Sequence, residues 1–196
     1  MTLIDSLNQI LEWHRKTGTP ASRLIRPGLS EDEILSRLRV LPFKLSREFI
    51  ELYKWHNGVQ IGEEGEDTNF FEYHRFLPLD EALSNFQDSY PIMKKFYELT
   101  DWVQVFEDPA GDGYGLSGAP EEAEQAPVVF LFEGEGVQVV FSSLAKMMET
   151  VAVSFKEGAM GWEDEQLEID FFAWGEVAHR LNPEIMYWQD YVKGGG

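Results

Sequence analysis

Apolar residues recur along this chain in two rhythms, and the points where one gives way to the other divide it into elements. Leu3, Ile4, Leu7, Ile10, Leu11 and His14 follow a helical period, with Thr2 placed to cap the start and Gly18 to end it. Residues 19–28 hold Pro20 and Pro27 and read as a loop. In Leu29-Ser30-Glu31-Asp32-Glu33-Ile34, Ser30 and Glu33 can satisfy each other's backbone donors while Leu29 and Ile34 form a hydrophobic staple. That capping box predicts a helix from Glu31 to about Val40, buried through Ile34, Leu35 and Leu38.

The stretch from Leu41 to Gly62 is the most specified. Pro42 pushes residue 41 out of helical space and closes what precedes it. Ser46 can then cap a helix running to about Trp55, stapled by Leu45 and Ile50, with Phe49, Leu52, Tyr53 and His56 on one face. Asn57-Gly58 supplies a left-handed stop, so Gly58 is expected at positive φ.

Beyond it, GEEGEDT has no apolar face to bury and reads as an exposed loop, and the aromatic run Phe70 to Phe76 reads as a strand ended by Pro78. Asp80 can cap a helix over 81–90, which Pro91 breaks or kinks, with 92–99 adding a turn or two. Trp102 to Glu107 alternates as a strand, DPAGDG is a turn, and Tyr114 to Leu116 returns. Residues 128–133 and 137–141 flank a hairpin connection Gly134-Glu135-Gly136. Ser142 or Ser143 caps a helix carrying Leu144, Met147, Met148, Val151 and Phe155 on one face, ended by Gly158. Residues 161–182 read as a C-terminal helix stopped by Asn182-Pro183, followed by an apolar-aromatic segment over 184–192. Gly194 to Gly196 are expected to be disordered. Helices, then strands in local hairpins, then helices make an α+β fold rather than alternating α/β.

At 196 residues and 43% hydrophobic, the chain supports one well-buried core and is short for two domains, so residues 1–193 are expected to form one. It has no cysteine, which excludes disulfides, thiolate nucleophiles and thiolate metal sites and suits a reducing interior. Asp5, Asn8 and Glu12 interrupt the N-terminal apolar residues, unlike a signal peptide, and no window approaches a membrane span. A soluble, cytoplasmic protein is expected.

Charge changes the picture most. The net charge is −19; residues 1–54 hold 9 Lys+Arg against 7 Asp+Glu, a net of +2, and residues 55–196 hold 7 against 28, a net of −21. Such a surface repels phosphate backbones and anionic lipids, which argues against nucleic-acid or membrane binding. Solubility is the ordinary use of such charge; a basic protein partner is the sharper one.

Catalytic and metal motifs find no support. His14, His56, His74 and His179 show no metal-ligand spacing, so no metal and no cofactor is expected. Asp108 to Gly113 departs from a calcium loop at Ala110 and has no closing glutamate. GDGYG joins two strands and leads into no helix, so it is not a nucleotide fingerprint, and no serine lies in GxSxG. Carboxylates are numerous, yet nothing singles out a catalytic pair. Among the tryptophans, Trp162 and Trp188 in the tail are the expected exposed pair.

LP with its short helix, then ELYKWHNG, a strand and RFLPLDEAL, resembles the SUKH superfamily, typified by the fungal cell-wall assembly regulator and its bacterial relatives. DWVQVFEDPAGDGYGL resembles that family's strand, acidic Gly-rich turn and strand, and PVVFLFEGEG with SSLAKMMETV its closing hairpin and helix, so the likeness spans about residues 30–157. It implies a central, largely antiparallel sheet flanked by helices, with N- and C-terminal helical extensions, and places Trp55 and Trp102 in the core; with Asn57 and Gly58 of the left-handed stop, these are the expected structural residues. It also implies a non-catalytic protein-binding module of the immunity type, which neutralises a cognate toxin, often a nuclease. The alternatives are a cellular regulator or scaffold like the fungal relative, or an enzyme acting through carboxylates. Two acidic clusters fall on loops that the motif order sets beside the core: Glu63, Glu64, Glu66 and Asp67, and Glu107, Asp108 and Asp112. These are the expected contacts for a basic partner.

Overall fold

The computed structural model describes residues 1–96, 100–132 and 136–194. Local chemistry sets its first helices. Thr2 Oγ1 accepts the Asp5 N–H at 3.2 Å and opens α1 (Leu3–Thr17), which Gly18 closes at φ 79°. The segment read as a loop contains α2 (Pro20–Leu24) and β1 (Ile25–Pro27). Proline fits the first turn of a helix, where no N–H is needed, so Pro20 starts an element instead of preventing one. In α3 (Glu31–Arg37) the capping box forms in full. A 3-10 turn, Leu38–Val40, tightens its end. Of its three predicted core residues only Ile34 is buried; Leu35 is 42% exposed, because adjacent helical residues point about 100° apart, and Leu38, in the 3-10 turn, is half-buried.

Ser46 stands at the N-cap of α4 (Arg47–Trp55), yet its buried hydroxyl has no hydrogen-bond partner among the described residues. Distant backbone serves the helix start instead: Arg47 N–H donates to Ala123 O at 2.9 Å and Glu48 N–H to Glu124 O at 3.3 Å. The helix ends one residue before the expected face does. His56 is extended at φ −150° and opens β2 (His56–Val59), which pairs antiparallel with β1. Asn57 therefore lies in a strand and is not a stop. Its Oδ1 accepts the Leu79 N–H at 2.9 Å and so caps α5 (Leu79–Phe96), the task assigned to Asp80, which sits within the first helical turn. Gly58 has φ 77° as expected. The predicted strand 70–76 is mostly a bend: Glu72 at φ 49° bridges Phe71 to His74, leaving only β3 (Arg75–Phe76). The α5 helix runs through Pro91, and residues 97–99 of the expected continuation lie outside the described residues.

The main sheet is an antiparallel meander of β3, β4 (Trp102–Glu107), β5 (Gly113–Ser117), β6 (Val128–Phe132) and β7 (Gly136–Phe141). Residues 134 and 135 of the expected β6–β7 connection lie outside the described residues. The register puts Tyr114 opposite Phe106 and Phe130, and Leu116 opposite Val103 and Val128, on one face. The other face carries Trp102 over Gly115, where a Cβ would stand 2.3 Å from the indole ring. The motif Gly-Tyr-Gly thus alternates a flat site for an aromatic ring with a core residue. One hydrophobic cluster runs from Leu3 to Trp188, which makes the α+β fold a single unit.

Ser143 caps α6 (Leu144–Glu157) and Gly158 ends it at φ 82°. A second cap comes from α4: the buried Glu48 carboxylate accepts the N–H of Leu144 at 2.9 Å and of Ala145 at 3.3 Å, plus Gln125 Nε2 at 3.2 Å. Burial pushes its pKa up, and those bonds pull it back. Glu48→Ala should cost about 2–4 kcal/mol, since it orphans buried donors. A urea-melt loss under about 1 kcal/mol would show that α6 does not need this carboxylate.

The predicted helix over 161–182 is two elements. Residues up to 170 form a hairpin, β8 (Met160–Glu163) with β9 (Gln166–Ile169), turned by Asp164 at φ 49° and Glu165 at φ 63°. Only α7 (Phe171–Leu181), capped by Asp170, is helical, followed by α8 (Met186–Gly194). Gly194, expected in a disordered tail, is the last residue of α8; residues 195–196 lie outside the described residues. Trp188, expected to be exposed, is 2% exposed, and its Nε1 donates to Val140 O at 2.6 Å on the terminal strand of the sheet. Trp162 is half-buried.

Candidate functional site

The two acidic loops, about forty residues apart in sequence, meet because β3 pairs with β4 and sets Arg75 opposite Glu107. A groove of about 380 Å³ lies between Thr68 and Asn69 on one loop and Asp108 to Gly111 on the other. A second, of about 400 Å³, continues past Tyr73 and Pro109 to Gln166 and Leu167 of the β8–β9 hairpin. Thr68, Asn69 and Pro109 line both.

Not every carboxylate there faces outward. Glu63 and Glu64 are exposed. Glu66 turns back, accepting the Glu63 N–H at 2.9 Å and pairing with Arg23. Asp67 accepts the Asn69 N–H at 2.8 Å and, across the groove, the Leu167 N–H at 2.7 Å. Asp108 builds its own turn through the N–H groups of Ala110 at 2.8 Å and Asp112 at 3.0 Å. Glu107 accepts from Asn85 Nδ2 at 3.3 Å, and burial pushes its pKa up against the pull of Arg75. Arg75 is itself engaged by Glu81 and by Val59 O at 3.1 Å. Glu66, Asp67 and Asp108, all half-buried, thus hold the loops in shape. Asp112 is half-buried.

The sequence reading missed a third acidic contributor. Glu163, Asp164, Glu165 and Glu168 are exposed on the hairpin whose next residues line the groove. Its signal was present: apolar Trp162, Leu167 and Ile169 flank a polar turn pair, a two-residue hairpin pattern.

Trp55 is half-buried with Nε1 donating to Asn8 Oδ1 at 2.9 Å, and Trp102 is buried on Gly115. His14 is buried between Thr19 Oγ1 at 2.7 Å and Phe70 O at 2.8 Å; desolvation lowers its pKa to about 4. Among the described residues no group of three or more His, Asp or Glu is placed to hold a metal ion, and no helix is long and apolar enough to cross a membrane.

These features define an α+β protein whose conspicuous surface is a set of anionic, self-braced loops at one end of an antiparallel meander. The model of the SMI1 / KNR4 family (SUKH-1) matches residues 28–150, more than half of the chain, and the chain belongs to that family. No curated protein gives a significant match. The matched span closes within α6, so the β8–β9 hairpin, α7 and α8 lie beyond it.

Proposed function

We propose that this protein is a non-catalytic binding module, one domain over residues 1–193, that works in the cytoplasm and neutralises a basic toxin domain through its anionic loops. The observation that carries the proposal is convergence: loop 63–69, turn 107–112 and the β8–β9 hairpin share one grooved surface on a segment of net charge −21. Bracing by Asp67 and Asp108 supports it further, because preorganised loops lose little entropy on binding. A nuclease toxin must attract phosphate, so a cationic face is the natural complement.

Glu63, Glu64, Asp164 and Glu165 are the residues to test, since they are exposed. Glu63→Lys and Glu64→Lys combined with Asp164→Asn and Glu165→Gln remove charge without touching the Asp67 and Asp108 braces. Against a cognate toxin domain, association should slow by at least about tenfold, and it should slow again as salt shortens the Debye length from about 10 Å to about 3 Å. The melting temperature should change little. Stopped-flow rates indifferent to both salt and substitution would reject this surface as the interface. Glu66→Lys and Asp108→Lys are poor probes, because they break the loops themselves.

A further inference from the structure

Away from the acidic grooves, a cavity of about 250 Å³ opens between the sheet and the two C-terminal helices. Tyr114 and Phe130 form its sheet side, Trp174 and Trp188 its helical side, with Tyr187 and Tyr191 on α8. Tyr73, 43% exposed, and Phe171, 48% exposed, stand at its rim with ring centroids 6.0 Å apart. Into this aromatic enclosure the Phe71–His74 bend places one carboxylate and one imidazole, Glu72 and His74, only 5% and 4% exposed.

Both are unusual for buried polar groups. Glu72 sits at φ 49°, a left-handed conformation that a non-glycine residue adopts only when its surroundings impose it. Its oxygens accept from Tyr114 Oη at 3.1 and 3.2 Å. Burial, and then the Glu72 charge, hold that phenol protonated well above its usual range. No Lys or Arg pairs with Glu72 among the described residues; only His74 Nδ1 comes near, at 3.2 Å and off hydrogen-bond geometry. Neither ring nitrogen of His74 has a hydrogen-bond partner among the described residues, in contrast to buried His14, where both do. Buried polar groups are almost always satisfied, so a carboxylate lacking a cation and an imidazole lacking any bond, together in a cavity, point to a ligand.

We propose that this cavity is a binding site for a quaternary alkylammonium group, with a polar group farther along the same ligand left to bond His74. Aromatic faces attract cations, most strongly when desolvated, and Glu72 supplies the countercharge. A guanidinium brings five N–H donors, more than the Glu72 carboxylate and one imidazole nitrogen satisfy, and a primary ammonium gives up a strong hydration shell on entry, whereas a quaternary nitrogen has no N–H to satisfy. The volume falls below the roughly 300–1,000 Å³ typical of drug-sized ligands and suits a head group. The site is separate from the acidic grooves and stands or falls without the toxin reading.

The test is titration of the intact protein with choline, followed by calorimetry and by the fluorescence of Trp174 and Trp188, alongside the uncharged isostere 3,3-dimethylbutan-1-ol at matched ionic strength. Choline should bind at least about tenfold more tightly than the alcohol, a gap that cation–π and ionic attraction together supply. Glu72→Gln keeps an acceptor for Tyr114 and should erase most of that preference. Should Glu72→Gln not fold, Tyr73→Leu with Phe171→Leu at the exposed rim should weaken choline more than the alcohol. Equal binding of choline and alcohol, or no choline binding up to about 10 mM, overturns the proposal. A trimethyl-lysine peptide that binds more tightly than choline assigns the cation to a polypeptide; the reverse order assigns it to a small molecule.

Discussion

Gly58→Val is expected to remove about 2–6 kcal/mol of stability. Two independent terms add. At φ 77° a β-branched residue is strained, which costs about 1–3 kcal/mol. A Cβ at Gly58 would also stand 2.3 Å from Pro78 N and 2.6 Å from Leu77 C, backbone atoms that cannot rotate away. Forcing β2 from that segment adds roughly another 1–3 kcal/mol, and it pulls Asn57 from the Leu79 N–H that it caps. Set against a total stability of about 5–15 kcal/mol, the sum takes away a large fraction of it. Gly18→Ala separates the terms, because Gly18 has φ 79° with nothing within 4 Å of its Cβ position. It should lose about 1 kcal/mol from conformation alone. Urea midpoints for both variants check this, and a Gly58→Val loss within about 1 kcal/mol of that of Gly18→Ala would refute the close-approach argument.

Trp188→Ala should be nearly as damaging, at about 3–5 kcal/mol, the usual range for removing a buried large aromatic. The ring packs against Trp174 at 5.7 Å, Phe141 at 5.4 Å and Tyr191 at 5.6 Å, so its loss leaves a void where α7 and α8 meet the sheet. It also strips Val140 O, on the terminal strand β7, of its indole donor. An uncovered edge invites strand pairing between molecules, so the variant should self-associate on light scattering as well as melt early. Trp188→Phe retains most of the packing and should lose only about 1–2 kcal/mol with the hydrogen bond. If Trp188→Ala stayed monomeric and as stable as the parent, α8 would be an appendage rather than a cover.

The C-terminal helices divide sharply between what was legible and what was not. Asp170, the N-cap of α7, was read as the middle of a longer helix, but Gly158 as the end of the helix before it acts through partners within a few residues, so its meaning is local. The same holds for Thr2, for the Ser30–Glu33 box and for the alternation that laid out β4 to β7. The likeness to the SUKH superfamily rested on the order of such local signals, and the family match over residues 28–150 agrees with it. Asn57 was misread as a helix stop because its partner, Leu79 N–H, lies 22 residues away; Glu48 acts 96 residues away on Leu144, and Trp188 acts 48 away on Val140. No periodicity in the chain carries such pairings.

The sites follow the same division. The excess of carboxylates and the loops that bear them were plain from the sequence, as was the positive φ of Gly58. Which carboxylates brace and which face outward was decided by folding: Asp67 is committed by a hydrogen bond to Leu167, and Glu72 by a left-handed bend within a run read as a strand. The sequence alone determines how charge and hydrophobicity are dealt out and where short-range hydrogen bonds start and stop helices. Tertiary structure decides which polar groups are consumed in holding distant segments together and which are left over, because burial and hydrogen-bond satisfaction are properties of the packed chain and not of any stretch of it.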